Sequence, residues 1–437
     1  MALGGGTWLT QNKVMPGTYI NFTSLAKASA ALSDRGIAAA PFNLSWGPEN
    51  TVFEVTAEDF QKNSKKLFGY SYDAPEMRSL REIFCNAVKV LCWRLGNGTA
   101  AQNTYATAKF AGARGNDITI KIAADVDNED YYVVGTYLAG SCVDEQLVET
   151  SADLVANDYV TFKTFSMAAT AGTPLTGGAN DASITGEDYQ AFLDAIESYA
   201  FNALCCPVKD STTVTLFVNY TKRVRDDLGA KFQLVAWQPS SADYEGVIGV
   251  WNDASAGGTD ADTDLLYWVT GAQAAVAVNK SLTNSAYNGE LTIDTDYTQA
   301  ELEAAILAGK FMFHNVNGAT RVLEDINSLV TTTEEKGDVF KNNQTVRVCD
   351  QIANDVAVLF NTRYVGIIPN DGSGRATLWN DIVKLLQQLE TIRAIEGFDT
   401  DTVSVAVGEN KGAVVLTING LNIVNAMSQL YMSVIIK

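Results

Sequence analysis

The stretch TVTLFVNYTKRVRDDLGAKFQLVAWQPSSADYEGVIGVW, from Thr213 to Trp251, decides the fold. It reads as an apolar β-prone run, a charged run KRVRDDLG with the character of a helix face, and two further apolar runs, KFQLVAW and GVIGVW. Apolar strands separated by helical segments point to βαβ units around a mostly parallel sheet, with its strands buried on both faces. The alternation continues through an Ala-rich helix around 265–279, a helix from Gln299 to Leu307 and the run FMFHNV. Helical NQTVRVCDQIANDVAVLF follows, then a Pro-Asn-Asp-Gly turn at 369–372 and a long helix from Leu378 to Glu396. Three strands close the chain: TVSVAVG, AVVLTIN and SQLYMSVIIK.

Upstream, a Gly-rich start leads into PGTYINF at 16–22, which alternates as a strand does, and then into an apolar strand in GIAAAPFNLSWGPEN. In EMRSLREIFCNAVKVLCWRL the apolar Met77, Leu80, Phe84, Ala87, Val88 and Leu91 recur at three- and four-residue steps, which predicts one long helix stopped by Gly96-Asn97-Gly98. From 97 to 178 the character changes to short β-prone runs, ATAKFAG, DITIKIA, YYVVGTYLAG and YVTFKTF, ending at AGTPLTGG. Helical periodicity then resumes with a capping box at Thr185 and Asp188 and an apolar face of Phe192, Leu193, Ile196, Ala200, Ala203 and Leu204. The β-rich segment therefore reads as an insertion into a larger domain.

The 437 residues are 47% hydrophobic and 19% charged, the composition of packed globular domains. A formal net charge of −20 opposes phosphate backbones, and the richest basic run, Lys222, Arg223 and Arg225, is followed at once by Asp226 and Asp227, so no nucleic-acid partner is expected. MALGGGTWLT has neither a basic nor an apolar leader region, and no apolar stretch is long enough to span a bilayer; synthesis in the cytoplasm without membrane insertion is the expectation. The six cysteines form no CxxC pair and read as buried reduced thiols.

Chemistry is hard to assemble from these residues. The single histidine, His314, sits in the apolar FMFHNV and reads as a core residue; no serine lies in a GxSxG elbow. Asp260, Asp262 and Asp264 alternate in GGTDADTD but lack the Gly and Glu of a calcium loop, so a solvated loop is expected. GARGND at 112–117 lacks the Lys-Ser or Lys-Thr of a phosphate loop, and NDGSGRATL at 370–378 reads as a turn feeding a helix. No catalytic residue, metal ligand or cofactor is assigned. The two ends are more informative: a terminal strand with nothing after it to cover it is an aggregation hazard in a monomer and a connector in an assembly.

Several segments, in order, resemble the contractile tail sheath proteins of myophages and phage-like bacteriocins of the Gram-positive type. They are MALGGGTWLTQNKVMPGTYINF, LSDRGIAAAPFNLSWGPEN, KFAGARGNDITI, NDYVTF with AGTPLTGG, YEGVIGVWN, VNKSLTNSAYNGE, GKFMFHNVNGATRVLEDINSLVT, VRVCDQIANDV and MSQLYMSVIIK. The resemblance implies a mixed α+β fold: a central subtilisin-like βαβ domain without protease activity, an inserted β-rich module, and a C-terminal α+β domain with extended arms. It implies the division 1–22 linking arm, 23–96 first part of the core domain, 97–178 outer insertion, 179–335 central α/β domain, 336–424 C-terminal sheath domain and 425–437 linking strand. The partners it implies are further copies of the chain in stacked hexameric rings, an inner tail tube, and baseplate and terminator proteins. The linking arms become Thr18, Tyr19, Ile20, Asn21 and Phe22 at one end and Leu430, Tyr431, Met432, Ser433, Val434, Ile435 and Ile436 at the other. The sheet that receives them is Val403, Val405 and Val407 with Val414, Leu416 and Ile418, and Lys384 and Arg393 become tube-facing. Rival readings are another phage-type structural subunit, such as a tail-tube or capsid protein, a soluble β/α binding protein, and a hydrolase on the central domain.

Overall fold

The computed structural model describes residues 32–128, 130–240 and 242–436. The strand expected at 16–22 lies outside the described residues. The chain divides into a larger unit, Asp34–Ala353 with Ile423–Lys437, and a smaller one, Met1–Ser33 with Asn354–Asn422.

The larger unit begins with β1 (Ile37–Phe42), β2 (Phe53–Thr56), α1 (Ala57–Phe68), α2 (Arg78–Phe84) and β3 (Lys89–Arg94). An inserted module follows, with β4 (Ala106–Ala108), β5 (Ile118–Ala124), β6 (Tyr132–Leu138), β7 (Ser141–Val148), β8 (Val160–Phe162) and β9 (Thr170–Pro174). The main domain then resumes with α3 (Gly186–Ile196), β10 (Ala203–Cys206), α4 (Ser211–Arg223), β11 (Gln233–Trp237) and β12 (Val247–Val250). Three short strands, β13 (Ala254–Ala256), β14 (Thr259–Asp260) and β15 (Thr292–Ile293), surround α5 (Asp262–Ala275). After α6 (Gln299–Leu307) come β16 (Lys310–Phe311) and the hairpin of β17 (Phe313–Val316) and β18 (Ala319–Val322).

Seven strands form one sheet in the order β16-β12-β11-β10-β1-β3-β2, parallel throughout except where β2 meets β3. Successive side chains of a strand point to opposite faces, and here both faces are covered. Ala38, Ala40, Val90, Cys92, Cys205, Val235 and Ile248 pack on one side with Leu80 and Ile83 of α2 and Leu265, Leu266 and Val269 of α5. Their neighbours Ala39, Leu91, Trp93, Leu204, Cys206, Leu234 and Val247 pack on the other with Phe192 and Ile196 of α3 and Val214, Phe217 and Val218 of α4. At about 1.5–3 kcal/mol per buried large apolar side chain, this two-sided core is the main stabilising feature of the unit.

The inserted module is an antiparallel sheet, β7-β6-β5-β9, beside the pair β4-β8, with its own core of Ile118, Ile120, Ile122, Val134, Leu138, Val160 and Leu175. Thr99 pairs with Ala179 where the chain enters and leaves it, which is the geometry of an insertion.

Three sequence expectations change. The long helix expected from Glu76 to Leu95 stops at Phe84, and KVLCWR is the buried strand β3. The three- and four-residue spacing of its apolar residues fits a helix as well as a strand buried on both faces, and pairing with β1 decides. TVTLFVNY is helix α4: Asp210 caps it by accepting from Thr213 N at 2.8 Å, and Val214, Phe217, Val218 and Thr221 form its buried stripe. Ala203 and Leu204, expected on a helix face, belong instead to the wholly buried strand β10.

Helix α7 (Asn343–Arg363) contributes its residues up to Ala353 to the larger unit. Arg347 donates to Asp325 Oδ2 at 2.7 Å, Gln273 Oε1 at 2.7 Å and Lys280 O at 2.9 Å. Asp325 also accepts from Gln273 Nε2, Asn343 Nδ2 and Leu282 N. Burial pushes the Asp325 carboxyl up, but Arg347 and these donors outweigh it and hold it below the usual range. Nearby, Arg225 grips Asp350 through two bonds of 2.7 and 2.9 Å. Within the smaller unit α7 continues to Arg363 and is followed by α8 (Gly372–Thr391) and the antiparallel pair β19 (Val403–Val407) and β20 (Val414–Ile418).

Two stability tests follow. A Cβ at Gly271 in α5 would lie 2.2 Å from the Ile83 carbonyl oxygen of α2. Although alanine gains about 1 kcal/mol of helix propensity, Gly271→Ala should be net destabilising by roughly 1–3 kcal/mol through overpacking, read as a lower denaturation midpoint. For Asp325 the folded pKa is depressed, so its contribution is present above the unfolded value and lost as pH falls through the folded one. Asp325→Asn should cost about 3–5 kcal/mol at neutral pH by leaving Arg347 buried and unpaired, and flatten the stability loss of the wild type below about pH 4.

Candidate assembly surface

The sequence expectations for the C-terminal region converge on two features, one in each unit. In the smaller unit β19 and β20 pair in register from Val403 with Ile418 to Val407 with Val414, and among the described residues they pair with no third strand. Their inward residues, Val403, Val405, Val414, Leu416 and Ile418, alternate with exposed Ser404, Val415 and Thr417; Val407 is exposed. Only Val403 is fully buried. An isolated two-stranded hairpin is marginal in water unless a helix or further strands support it. Here Trp379 of α8 donates its indole Nε1 to Val403 O at 2.9 Å. Asn370 Nδ2 donates to Lys411 O and Ala413 O at 2.9 and 2.8 Å, and Asn419 N closes on Thr402 O. The hairpin is thus held from one side while its outer edges still present backbone N–H and C=O groups.

In the larger unit the C-terminal segment is clamped by Gln344, which donates Nε2 to Val424 O at 3.1 Å and accepts from Ala426 N at 2.9 Å. Thr345 Oγ1 reaches Asn425 Oδ1. Beyond Ala426 the ten residues Met427–Ile436 carry no charge, and seven of them are large and apolar. Those seven, including Leu430, Tyr431, Met432, Val434, Ile435 and Ile436, are each at least 69% exposed. The third strand expected here pairs with no other described segment. Ser433 is exposed with them. Thr18, Tyr19, Ile20, Asn21 and Phe22 lie outside the described residues.

Lys384 is well exposed on α8, 3.9 Å from Asp381. Arg393 is not on the helix, which ends at Thr391; it stands in the following turn with a left-handed φ of 61°. Gln344 and Trp379 carry contacts that sequence reasoning missed, because a glutamine or tryptophan in a helical pattern signals nothing about the carbonyl it will meet.

The candidate chemical residues serve the scaffold. Asp262 and Asp264 are buried rather than solvated: Asp262 accepts from Ala254 N at 2.5 Å and pairs with Lys209, and Asp264 takes Arg78 and Ser79. Asp260 pairs with Lys209 at 2.6 Å. His314 is half-buried opposite Arg321; burial and that guanidinium push its pKa below the usual value. Arg114 of GARGND stacks on Tyr70 at 4.2 Å, and Asp371 of NDGSGRATL caps α8 through Gly374 N at 2.7 Å. Cys92, Cys205 and Cys206 are buried, Cys85 and Cys349 partly so, and Cys142 is exposed. Among the described residues no group of three or more His, Cys, Asp or Glu could hold a metal ion, and no helix is long and apolar enough to cross a membrane.

Val434 and Ile436 are exposed and join no strand among the described residues. Replacing both by Asp should change unfolding free energy by no more than about 0.5 kcal/mol, as for other exposed positions; a loss of several kcal/mol on chemical denaturation would contradict their exposure.

Comparison with known proteins matches four segments of the chain between residue 35 and residue 437. Residues 35–95 match the tail sheath protein Gp18 domain III N-terminal region and 96–180 the phage tail sheath beta-sandwich domain. Residues 182–328 match the phage tail sheath central domain and 335–437 the C-terminal domain. The phage-like element PBSX protein XkdK of Bacillus subtilis is 32% identical over 99% of both chains. A crystal structure of a sheath tail protein from Desulfitobacterium hafniense superposes with a TM-score of 0.78 at 36% identity, covering 89% of this chain and 93% of that one. More distantly, the fold matches the helical sheath of the anti-feeding prophage in its contracted state, at a TM-score of 0.55 and 14% identity over 97% and 99% of the two chains.

Proposed function

Because this chain belongs to the phage tail sheath protein family, we propose that it is the repeating subunit of a contractile sheath, a structural protein and not an enzyme. The observation that carries this reading is the pairing of opposites in one chain: an uncharged, apolar, exposed segment at 427–436 and a two-stranded sheet with open outer edges. Each satisfies the other's deficit only between copies that repeat, because a segment given to one neighbour must be received from another. In this reading Leu430–Ile436 and Thr18–Phe22 add as strands to β19 and β20 of adjacent subunits. Hexameric rings stack around an inner tube, with Lys384 and Arg393 toward the tube and the module at 97–178 outermost. Baseplate and terminator proteins hold the two ends of the stack.

Contraction then needs no bound nucleotide. Strand pairing keeps subunits connected, while the larger units exchange a smaller set of surface contacts for a larger one. The rigid two-sided core suits that role, since it moves as a body.

Removing residues 425–437, or separately 1–22, should leave folded subunits that no longer polymerise. Negative-stain images of concentrated wild-type protein should show tubes or rings, and of either truncation only dispersed particles. Normal tubes from both truncations would overturn the linking role.

A further inference from the structure

The smaller unit contains a groove of about 470 Å³. Phe360 of α7, Val365 and Ile368 from the loop after it, and Val414 at the start of β20 give it apolar walls, and Arg375 and Lys411 line it as well. Val365, Ile367 and Ile368 stand 53%, 64% and 36% exposed. A loop that turns three large apolar residues outward beside such a groove marks a surface meant to be covered.

The point where the described chain starts says what can cover it. Leu32 N donates to Gln388 Oε1 at 3.1 Å, and Ser33 Oγ donates to Asp355 Oδ1 at 2.6 Å, so the N-terminal segment departs from this same unit. Phe22 is ten residues before Leu32, a reach of about 33–36 Å when extended. A body of about 70 residues has a radius of gyration near 11 Å, so its whole surface lies within that reach. The C-terminal segment leaves the smaller unit at Asn422, but its next residues are held by Gln344, which bonds Val424 O and Ala426 N.

We propose that the groove is the docking site, within one subunit, for that subunit's own residues Thr18–Phe22, and that assembly releases this segment to a neighbour. The proposal rests on the reading of 18–22 as a linking arm and adds what the arm does before assembly. Strand periodicity puts Ile20 and Phe22 on one face, the apolar face the groove can take, and Tyr19 on the other. The ring of Phe22 offers its negative face to the cations of Arg375 and Lys411, a match that an aliphatic segment would not make. An apolar strand parked in this way is withheld from unscheduled edge pairing until assembly hands it to the β19–β20 edge of a neighbour.

The test uses full-length protein in a Cys142→Ser background, carrying Ile20→Cys with Val365→Cys or with Ile368→Cys, treated dilute with a short bis-maleimide. We expect an intramolecular cross-link whose yield is independent of protein concentration, and at least a tenfold loss of yield with Phe22→Asp. In parallel, hydrogen exchange of residues 18–22 in the free subunit should be slowed at least tenfold and return to the unprotected rate in Ile368→Asp. Cross-links only between copies, or none with unprotected amides, overturn the proposal. Tube formation by wild-type protein is scored separately: tubes without an intramolecular cross-link refute the docking alone, and a cross-link without tubes refutes the sheath reading and leaves the docking.

Discussion

Backbone hydrogen bonding at the outer edges of β19 and β20, which no other described strand covers, is the constraint on which the rest depends. Each strand of a two-stranded sheet satisfies half its N–H and C=O groups through its partner and leaves the other half to water or to another chain. Monomeric proteins blunt such edges with charge, proline or a covering element. Here the outward positions Ser404, Val415 and Thr417 are exposed, as is Val407 at the end of the inner row, and Trp379 and Asn370 brace the hairpin from one side. In the proposed assembly, segments of neighbouring subunits would complete this sheet.

The larger unit answers a different demand. Its parallel sheet has helices on both faces, its helices α2 and α5 approach so closely that Gly271 has no room for a side chain, and the start of α7 is fixed by Arg347 with Asp325 and Arg225 with Asp350. Buried ion pairs of this kind add little net stability compared with apolar packing, but they tolerate almost no change of geometry. The consequence is a body that resists deformation, followed by residues 427–436, whose large apolar side chains are exposed. Under the proposed function, such a division between a rigid body and linking ends would let a repeating subunit move without dissociating.

Much of this was legible in the sequence. Apolar runs alternating with helical stretches pointed to the parallel sheet, and the change of texture after Asn97 marked the inserted β-rich module. What failed was the distinction between a buried helix and a buried strand. KVLCWR and TVTLFVNY are each apolar on most positions, so periodicity cannot separate them; pairing of Val90 with Ala38 made the first a strand, and the Asp210 cap with the Phe217 stripe made the second a helix. Asp262 and Asp264 were misread for a related reason, since a carboxylate's burial depends on Lys209 and Arg78, which come from distant parts of the chain. The likeness of whole segments to tail sheath proteins carried the functional reading further than any single residue could.

The most direct test of the central claim is a cryo-electron microscopy reconstruction of polymerised full-length protein at a resolution that traces strands. The account predicts that the sheet of β19 and β20 in each copy is extended at its edges by Thr18–Phe22 and Leu430–Ile436 from neighbouring copies. Edges left in solvent, or covered by segments of the same copy within the polymer, would contradict it.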